Sequence, residues 1–569
     1  MAVDVLSGEG AVLLLPELTL VAGILVMLVS TNLGGSRIRI PLTTIRLPSL
    51  LGGRRFKWNS DPRLPGLISV FTLVLAIAML LRTLGAETTL LTTSGNNPAE
   101  LLRIDAFSRL FELIFLGALL LVSAASVSRV PADPKPSIDD LDQLLDNRRQ
   151  VDLHLLLLIS GLGMTIVAMS MNLFMLFIGL ELASLAIYVL VAFHKETKAG
   201  SEAGVKYFIV GAVSSAVSLY GMSLLYLWSG TLQVNELAVV WSAMESVEAL
   251  PMVGLAMLLV GFAFKVSAVP FHFATPDAYA GASSPVAALL ASASKALGFV
   301  GLMRVLFILT LPGSGEGAAW MVALALLSVV TMTWGNIAAL SSTNPKRMLA
   351  YSSVAHAGYM LAALVAVGAW RSIGVENTGM PIDAMELTIA AVIFHLFVLL
   401  TFKVGAFLVL AHLETEGDTN DLSCLNGLAR REPAIAVSMF IFMLALAGVP
   451  PLAGFMSKFL MVSGIAQAAS SDIISDAGRG LIPTISGLHW SFFLALAIFL
   501  NSALSVFYYL RVGVVMFLEE PDTRLPLPRA GALRLTIFVC AFGAVFFGIN
   551  ADWLINAAAD AAAALLANA

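Results

Sequence analysis

The residues of this sequence that could do chemistry are charged side chains set deep in apolar runs. Glu181 stands in LFIGLELASLAIYVLV, Lys265 in AMLLVGFAFKVSAVP, Lys295 in ALLASASKALGFVGL, Lys403 in FVLLTFKVGAFLV and Lys458 in GVPPLAGFMSKFLMV. A charge at the centre of a bilayer costs about 2.5 to 3.5 kcal/mol on insertion scales, so each needs a partner, a watery cavity or a task. A lone buried carboxylate takes up a proton unless a cation neutralises it. Lys206, early in the run after Glu181, offers that cation, and the pair reads either as a titrating site or as a structural ion pair. Snorkelling would explain a lysine near a helix end. Lys265 has a full apolar turn on one side and more than three on the other, and Lys295 lies three turns into its helix, which argues against it.

Three histidines join this set. His272 lies in a polar turn and either titrates near neutral pH or simply bonds within the turn. His356, in KRMLAYSSVAHAGYM beside Tyr351, Ser352 and Ser353, reads as a relay group or as a core histidine. His395 and Lys403 are eight residues apart, which puts them on one helix face about 12 Å apart and suits a proton chain with water between them. Arg304, near a helix end, reads as an interface anchor, and Lys346 and Arg347 as partly topological.

The elements that must position these groups are membrane helices. The 569 residues are 59% hydrophobic and only 12% charged, a ratio that a soluble core does not need. Apolar windows of about 20 residues fall near 11–30, 65–83, 106–127, 152–169, 172–193, 205–228, 251–269, 284–310, 318–340, 347–368, 386–411, 434–465, 490–511 and 533–555. The expectation is an all-α polytopic membrane protein with about 14 transmembrane helices. Pro270 interrupts the seventh and Pro450–Pro451 the twelfth, each with a lysine beside the break. Paired interrupted helices point to repeats in the two halves of a transporter. The expected divisions are 1–150, an N-terminal three-helix region and cytoplasmic loop; 151–310, a first transporter-type repeat; 318–512, a second; and 513–569, a loop and last helix. The first three helices, with few internal charges, are assigned to packing and topology.

A net charge of −5 argues against a nucleic-acid partner. Basic residues gather in alternate loops (Arg37, Arg54, Arg55, Lys57, Arg148, Arg149, Lys195, Arg430, Arg431, Arg524, Arg529), whereas Glu236, Glu245, Glu248, Glu376 and Asp383 gather in the others. The positive-inside rule then places both termini on the outer, periplasmic side. Cys424 and Cys540 cannot hold an iron–sulfur cluster, which takes four thiolates.

The segments LELASLAIYVLVAF, SEAGVKYFIVGAVSSAVSLYGMSLLYLWSG, FKVSAVPFHFATPDAYAGASSPV with SASKALGF, KRMLAYSSVAHAGY and GVPPLAGFMSKF, in this order, resemble the subunit N family of bacterial respiratory complex I, the NADH:quinone oxidoreductase. The resemblance is dense over residues 150 to 515 and weaker before. It implies two inverted five-helix repeats and a proton-translocating, antiporter-like translocase subunit of the electron transport chain in the bacterial cytoplasmic (inner) membrane. It implies no cofactor on this chain, with NADH, FMN, iron–sulfur clusters and quinone in the rest of the complex. The implied partners are the antiporter-like siblings, small membrane subunits and the lipid bilayer. By motif, Glu181 with Lys206 would form an inlet ion pair, Lys265 the broken-helix lysine, Lys295 the central relay and Lys458 the exit-side lysine. His272, His356 and His395 are candidate relay groups. Phe273 stands where the family has Trp, and Lys403 where it usually has Asn; with His395, Lys403 looks more like the pattern of the sibling subunits. The alternatives are a large subunit of a multi-subunit cation/proton antiporter and a structural subunit with an inactive channel.

Overall fold

The structure is a computed structural model that describes residues 2–4, 7–32, 37–39, 46–48, 63–91, 100–127, 140–244, 248–308, 318–372, 382–417, 419–469, 489–521, 527–528 and 530–567. The loop basic residues Arg54, Arg55, Lys57, Arg524 and Arg529 and the acids Glu245 and Glu376 lie outside the described residues.

After a short helix over Gly8–Leu13, the long helices are α1 (Leu15–Asn32), α2 (Leu64–Arg82), α3 (Ala106–Ala125), α4 (Asp140–Met169), α5 (Leu173–Val191) and α6 (Lys198–Ser229). An interrupted pair, α7 (Ala249–Val266) and α8 (Ala274–Gly281), follows. Next come α9 (Ser284–Ala291), α10 (Ala293–Ile308), α11 (Ala318–Ser341), α12 (Pro345–Ser372) and α13 (Ile382–Leu413). A second interrupted pair, α14 (Pro433–Ala447) and α15 (Ala453–Ala469), leads to α16 (Phe492–Leu518), α17 (Gly531–Ile549) and α18 (Asp552–Ala567). Among the described residues, 12 helices are long and apolar enough to cross a membrane, with α9 and α10 taken as one. Adding α1 and the α14–α15 pair gives the expected fourteen apolar segments.

Local chemistry sets the ends. Asn172 caps α5, its side chain accepting from the Phe174 amide at 2.9 Å, and Thr197 caps α6 by accepting from the Gly200 amide at 3.0 Å. Gly230 closes α6 in the left-handed region at φ 73°.

Three features depart from the sequence expectation. The window 284–310 is broken at Ser292, where φ −116° and ψ −87° leave the helical region one turn before Lys295. The last window divides: α17 ends at Ile549 and an alanine-rich α18, built of the strongest helix former, packs back on α13 and α3. A small sheet also accompanies the helices. The strands β1 (Ala2–Asp4), β4 (Thr88–Leu91) and β5 (Glu100–Ile104) join in the order β1–β4–β5, while β2 (Arg37–Arg39) and β3 (Arg46–Pro48) form a separate ladder.

The segments 284–306, 345–370 and 384–413, which carry Lys295, His356, His395 and Lys403, are buried along their whole spanning windows. Helices such as α2, α6, α11, α16 and α17 face outward for much of their length. The polar groups are thus enclosed by other helices, as buried charges in hydrocarbon require.

Candidate functional site

In the first half, α5 and α6 bring Ser215 to Glu181, whose Oε1 accepts from the Ser215 hydroxyl. Lys206 does not join them. It precedes Ser215 by nine residues, about 13 Å of helix rise, and its ammonium pairs with Glu202 at 2.7 Å and Asp277 at 2.8 Å with its side chain 47% exposed. The expected Glu181–Lys206 pair is therefore not formed. Asp277 in turn accepts from Arg347 at 2.6 Å, so one carboxylate joins α6 and α12.

The cation within electrostatic reach of Glu181 is Lys265. It sits in the last turn of α7 at 4% exposure, and among the described residues its ammonium has no hydrogen-bond partner. Instead it lies over the Tyr188 ring, 5.3 Å from the centroid, and 5.8 Å from that of Phe264. A ring face attracts a desolvated ammonium through its quadrupole. Tyr188 comes two turns after Glu181 on α5 and reaches this place because Gly211 of α6 has no side chain: a Cβ there would stand 2.1 Å from the Tyr188 hydroxyl.

Both interruptions leave helix carbonyls without amide donors, and a lysine takes them in each. α7 ends at Ser267, whose φ of 63° is left-handed, and its hydroxyl is bonded to that of Thr275 at 2.8 Å. The freed Val266 carbonyl accepts from Lys295 Nζ at 2.9 Å. α14 ends at Gly448, φ 85°, and the Leu446 and Ala447 carbonyls accept from Lys458 Nζ at 2.8 and 3.3 Å, with Ser502 Oγ at 3.0 Å as a further partner. The negative end of each helix dipole thus faces an ammonium. His272 stands in the first interruption, half-buried, its ring edge-on to Trp334 and its Nδ1 without a partner.

The second half holds a continuous chain. Lys403 Nζ donates to the Leu349 carbonyl at 2.9 Å and to Ser352 Oγ at 2.7 Å. Ser352 bonds the Tyr509 hydroxyl, which meets His356 Nε2 at 3.2 Å. His356 Nδ1 and His395 Nε2 are 2.9 Å apart, and His395 Nδ1 meets Ser457 Oγ at 2.7 Å. Ser457 adjoins Lys458, whose ammonium lies 5.5 Å from the Tyr359 ring centroid. Every link is a hydroxyl that both donates and accepts or an imidazole whose two nitrogens divide those roles. Such a chain can pass a proton by successive hops. His395 and Lys403 are therefore joined through Ser352, Tyr509 and His356.

Sequence reasoning missed Tyr509 and Ser457. A signal for Tyr509 was present: Asn501, Ser505, Tyr508 and Tyr509 recur at one-turn spacing along α16, a polar stripe in an apolar helix. Arg304 is also corrected. It is a buried group at 4% exposure that donates to the Ala168 carbonyl at 2.6 Å and lies over Phe107, with a ring distance of 4.9 Å. Lys346 is buried as well, ion-paired to Glu414 and donating to the Ala282 carbonyl at 3.0 Å.

Residues 170–477, which hold this arrangement apart from Tyr509, Ser502 and the Arg304 partners Phe107 and Ala168, match the family model described as NADH:quinone oxidoreductase/Mrp antiporter, TM. The chain belongs to that family. Within it, the chain is 35% identical to NADH-quinone oxidoreductase subunit N of Heliobacterium modesticaldum over 81% of this chain and 86% of the relative. It is 35% identical to F(420)H(2) dehydrogenase subunit N of Methanosarcina mazei over 82% and 86%. A chain of respiratory complex I from Thermus thermophilus, solved with bound aureothin, superposes with a TM-score of 0.67 at 27% identity, over 96% of this chain and 98% of that one.

Proposed function

We propose that this chain is the proton-translocating subunit N of a complex I-type NADH:quinone oxidoreductase. The observation that carries the proposal is the hydrogen-bonded side-chain path from Lys403 through Ser352, Tyr509, His356 and His395 to Ser457, the neighbour of Lys458 in sequence, with His356, His395 and Lys403 on fully buried spanning windows. The relatives named NADH-quinone oxidoreductase subunit N support the assignment to that enzyme.

In this reading residues 151–310 and 318–512 are two antiporter-like repeats. Glu181 and Lys265 form the charge pair of the first and Lys295 the centre. Lys403, His356 and His395 continue the relay, and Lys458 delivers the proton. His272 and Lys206 stand at its edge. The chemistry is electrostatic: a proton gained at one site alters the proton affinity of the next, so occupancy propagates as a coupled titration. NADH, FMN, iron–sulfur clusters and quinone belong to other subunits, and the partners are the antiporter-like siblings and small membrane subunits. The loop charges support a cytoplasmic-membrane location with both termini outside.

The test is to extract the protein gently from its native membrane and measure the mass and NADH:quinone activity of what accompanies it. A large assembly that pumps protons during NADH oxidation supports the proposal. A small particle that exchanges sodium for protons without redox activity would replace it with the cation/proton antiporter reading.

A further inference from the structure

The N-terminal helices, assigned from sequence to packing, enclose a second set of charges. Arg109 and Glu112 of α3 are both 0% exposed and pair at 2.7 Å. Arg109 Nη2 also donates to the Leu13 carbonyl at 2.8 Å. Glu17, in the first turn of α1, is 7% exposed, and among the described residues neither of its carboxylate oxygens has a hydrogen-bond partner. Glu112 Oε1 is likewise unpartnered. Glu17 lies within electrostatic reach of both Glu112 and Arg109.

The charges of this cluster do not cancel if every group is ionised. α2 carries no ionisable residue between Leu64 and Leu81, and α4 none from Leu155 to Met169; Thr165 is the polar group that α4 turns toward Glu17. Asp105, the remaining carboxylate near Glu112, caps α3 by accepting from the Ser108 amide at 2.7 Å and faces Arg304. Among the described residues, that leaves Arg109 as the cation for Glu17 and Glu112. An uncompensated buried carboxylate carries a large desolvation penalty, and two carboxylates sharing one site resolve it by keeping one proton between them.

We propose that Glu17 and Glu112 form a one-proton site: Glu112 is ionised against Arg109, and Glu17 holds a single exchangeable proton. The site lies outside both antiporter repeats and shares none of their lysines, so it stands or falls independently of the relay.

The test is infrared spectroscopy of the intact purified complex, read as wild-type-minus-variant differences in the carboxylic-acid carbonyl region in H2O and D2O. Glu17→Gln removes one D2O-sensitive carbonyl band. Glu112→Gln also removes it, because Glu17 then ionises to balance Arg109. Loss in both variants supports the proposal. A band unchanged in both shows that no proton resides here and overturns it. Loss in Glu112→Gln alone puts the proton on the wrong residue, and loss in Glu17→Gln alone shows that the two acids do not share one charge; either overturns it. In Arg109→Gln the carbonyl absorbance doubles, since both acids become protonated. Should that variant fail to assemble, the two glutamine variants still decide.

Discussion

Lys295 donates to the carbonyl of Val266 at 2.9 Å, so the ammonium at the centre of the chain also closes the open end of a helix. Lys458 does the same for Leu446 in the second half, although it comes from the following half-helix of its own interrupted pair. In each half, the lysine proposed to transfer a proton also satisfies a helix-end carbonyl.

We predict that Lys295→Ala lowers both stability and pumping. A buried carbonyl left without its donor costs about 1–3 kcal/mol. Thermal unfolding of the purified complex should shift downward, and proton release per NADH oxidised should fall with it. Unchanged melting would show that the Val266 carbonyl finds another donor.

For Tyr509→Phe we predict a pumping loss of at least about tenfold, equal to about 1.4 kcal/mol in the rate-limiting transfer. The ring still fills its buried place, while the link between Ser352 and His356 is cut. Vesicle acidification compared with quinone reduction is the measurement. Normal acidification would mean that the proton bypasses this hydroxyl.

Glu181 and Lys206 should separate. Lys206→Ala touches an exposed cation held by two other carboxylates, and exposed pairs contribute little. It should keep most of the pumping, whereas Glu181→Gln should abolish it. Equal losses in the two variants would argue for a working pair that forms transiently.

Gly211→Val should disturb Lys265 from a distance. Overpacking costs typically 1–3 kcal/mol, and the displaced group would be Tyr188, whose ring lies under the Lys265 ammonium. The expected result is a lower melting temperature together with slower proton uptake; a silent substitution would show that Tyr188 moves freely.

Lys265, Lys295, Lys403 and Lys458 were legible in the sequence because a charge in an apolar run has few explanations. The helix count was legible for the same reason: length and hydropathy leave one reading. Tyr509 and Ser457 were not, since a hydroxyl is inexpensive in a helix and signals little alone. Glu181 was given Lys206 as partner from sequence order, whereas the packing of α5 and α6 sets Ser215 opposite it. Arg109 and Glu112 stand one turn into an otherwise apolar window, where charges read as an edge, and only the close approach of Leu13 shows them to be enclosed. The break at Ser292 had no proline or glycine to announce it.

The enclosure of the spanning windows within 345–370 and 384–413 by other helices has a practical side. The proposed relay carries its own dielectric insulation, and its hydrogen bonds between Lys403, Ser352, Tyr509, His356 and His395 are buried. Exchanging the native lipids for a detergent belt changes the outward helix faces, such as those of α2, α6, α11, α16 and α17, so the internal wiring should travel intact from membrane to solution.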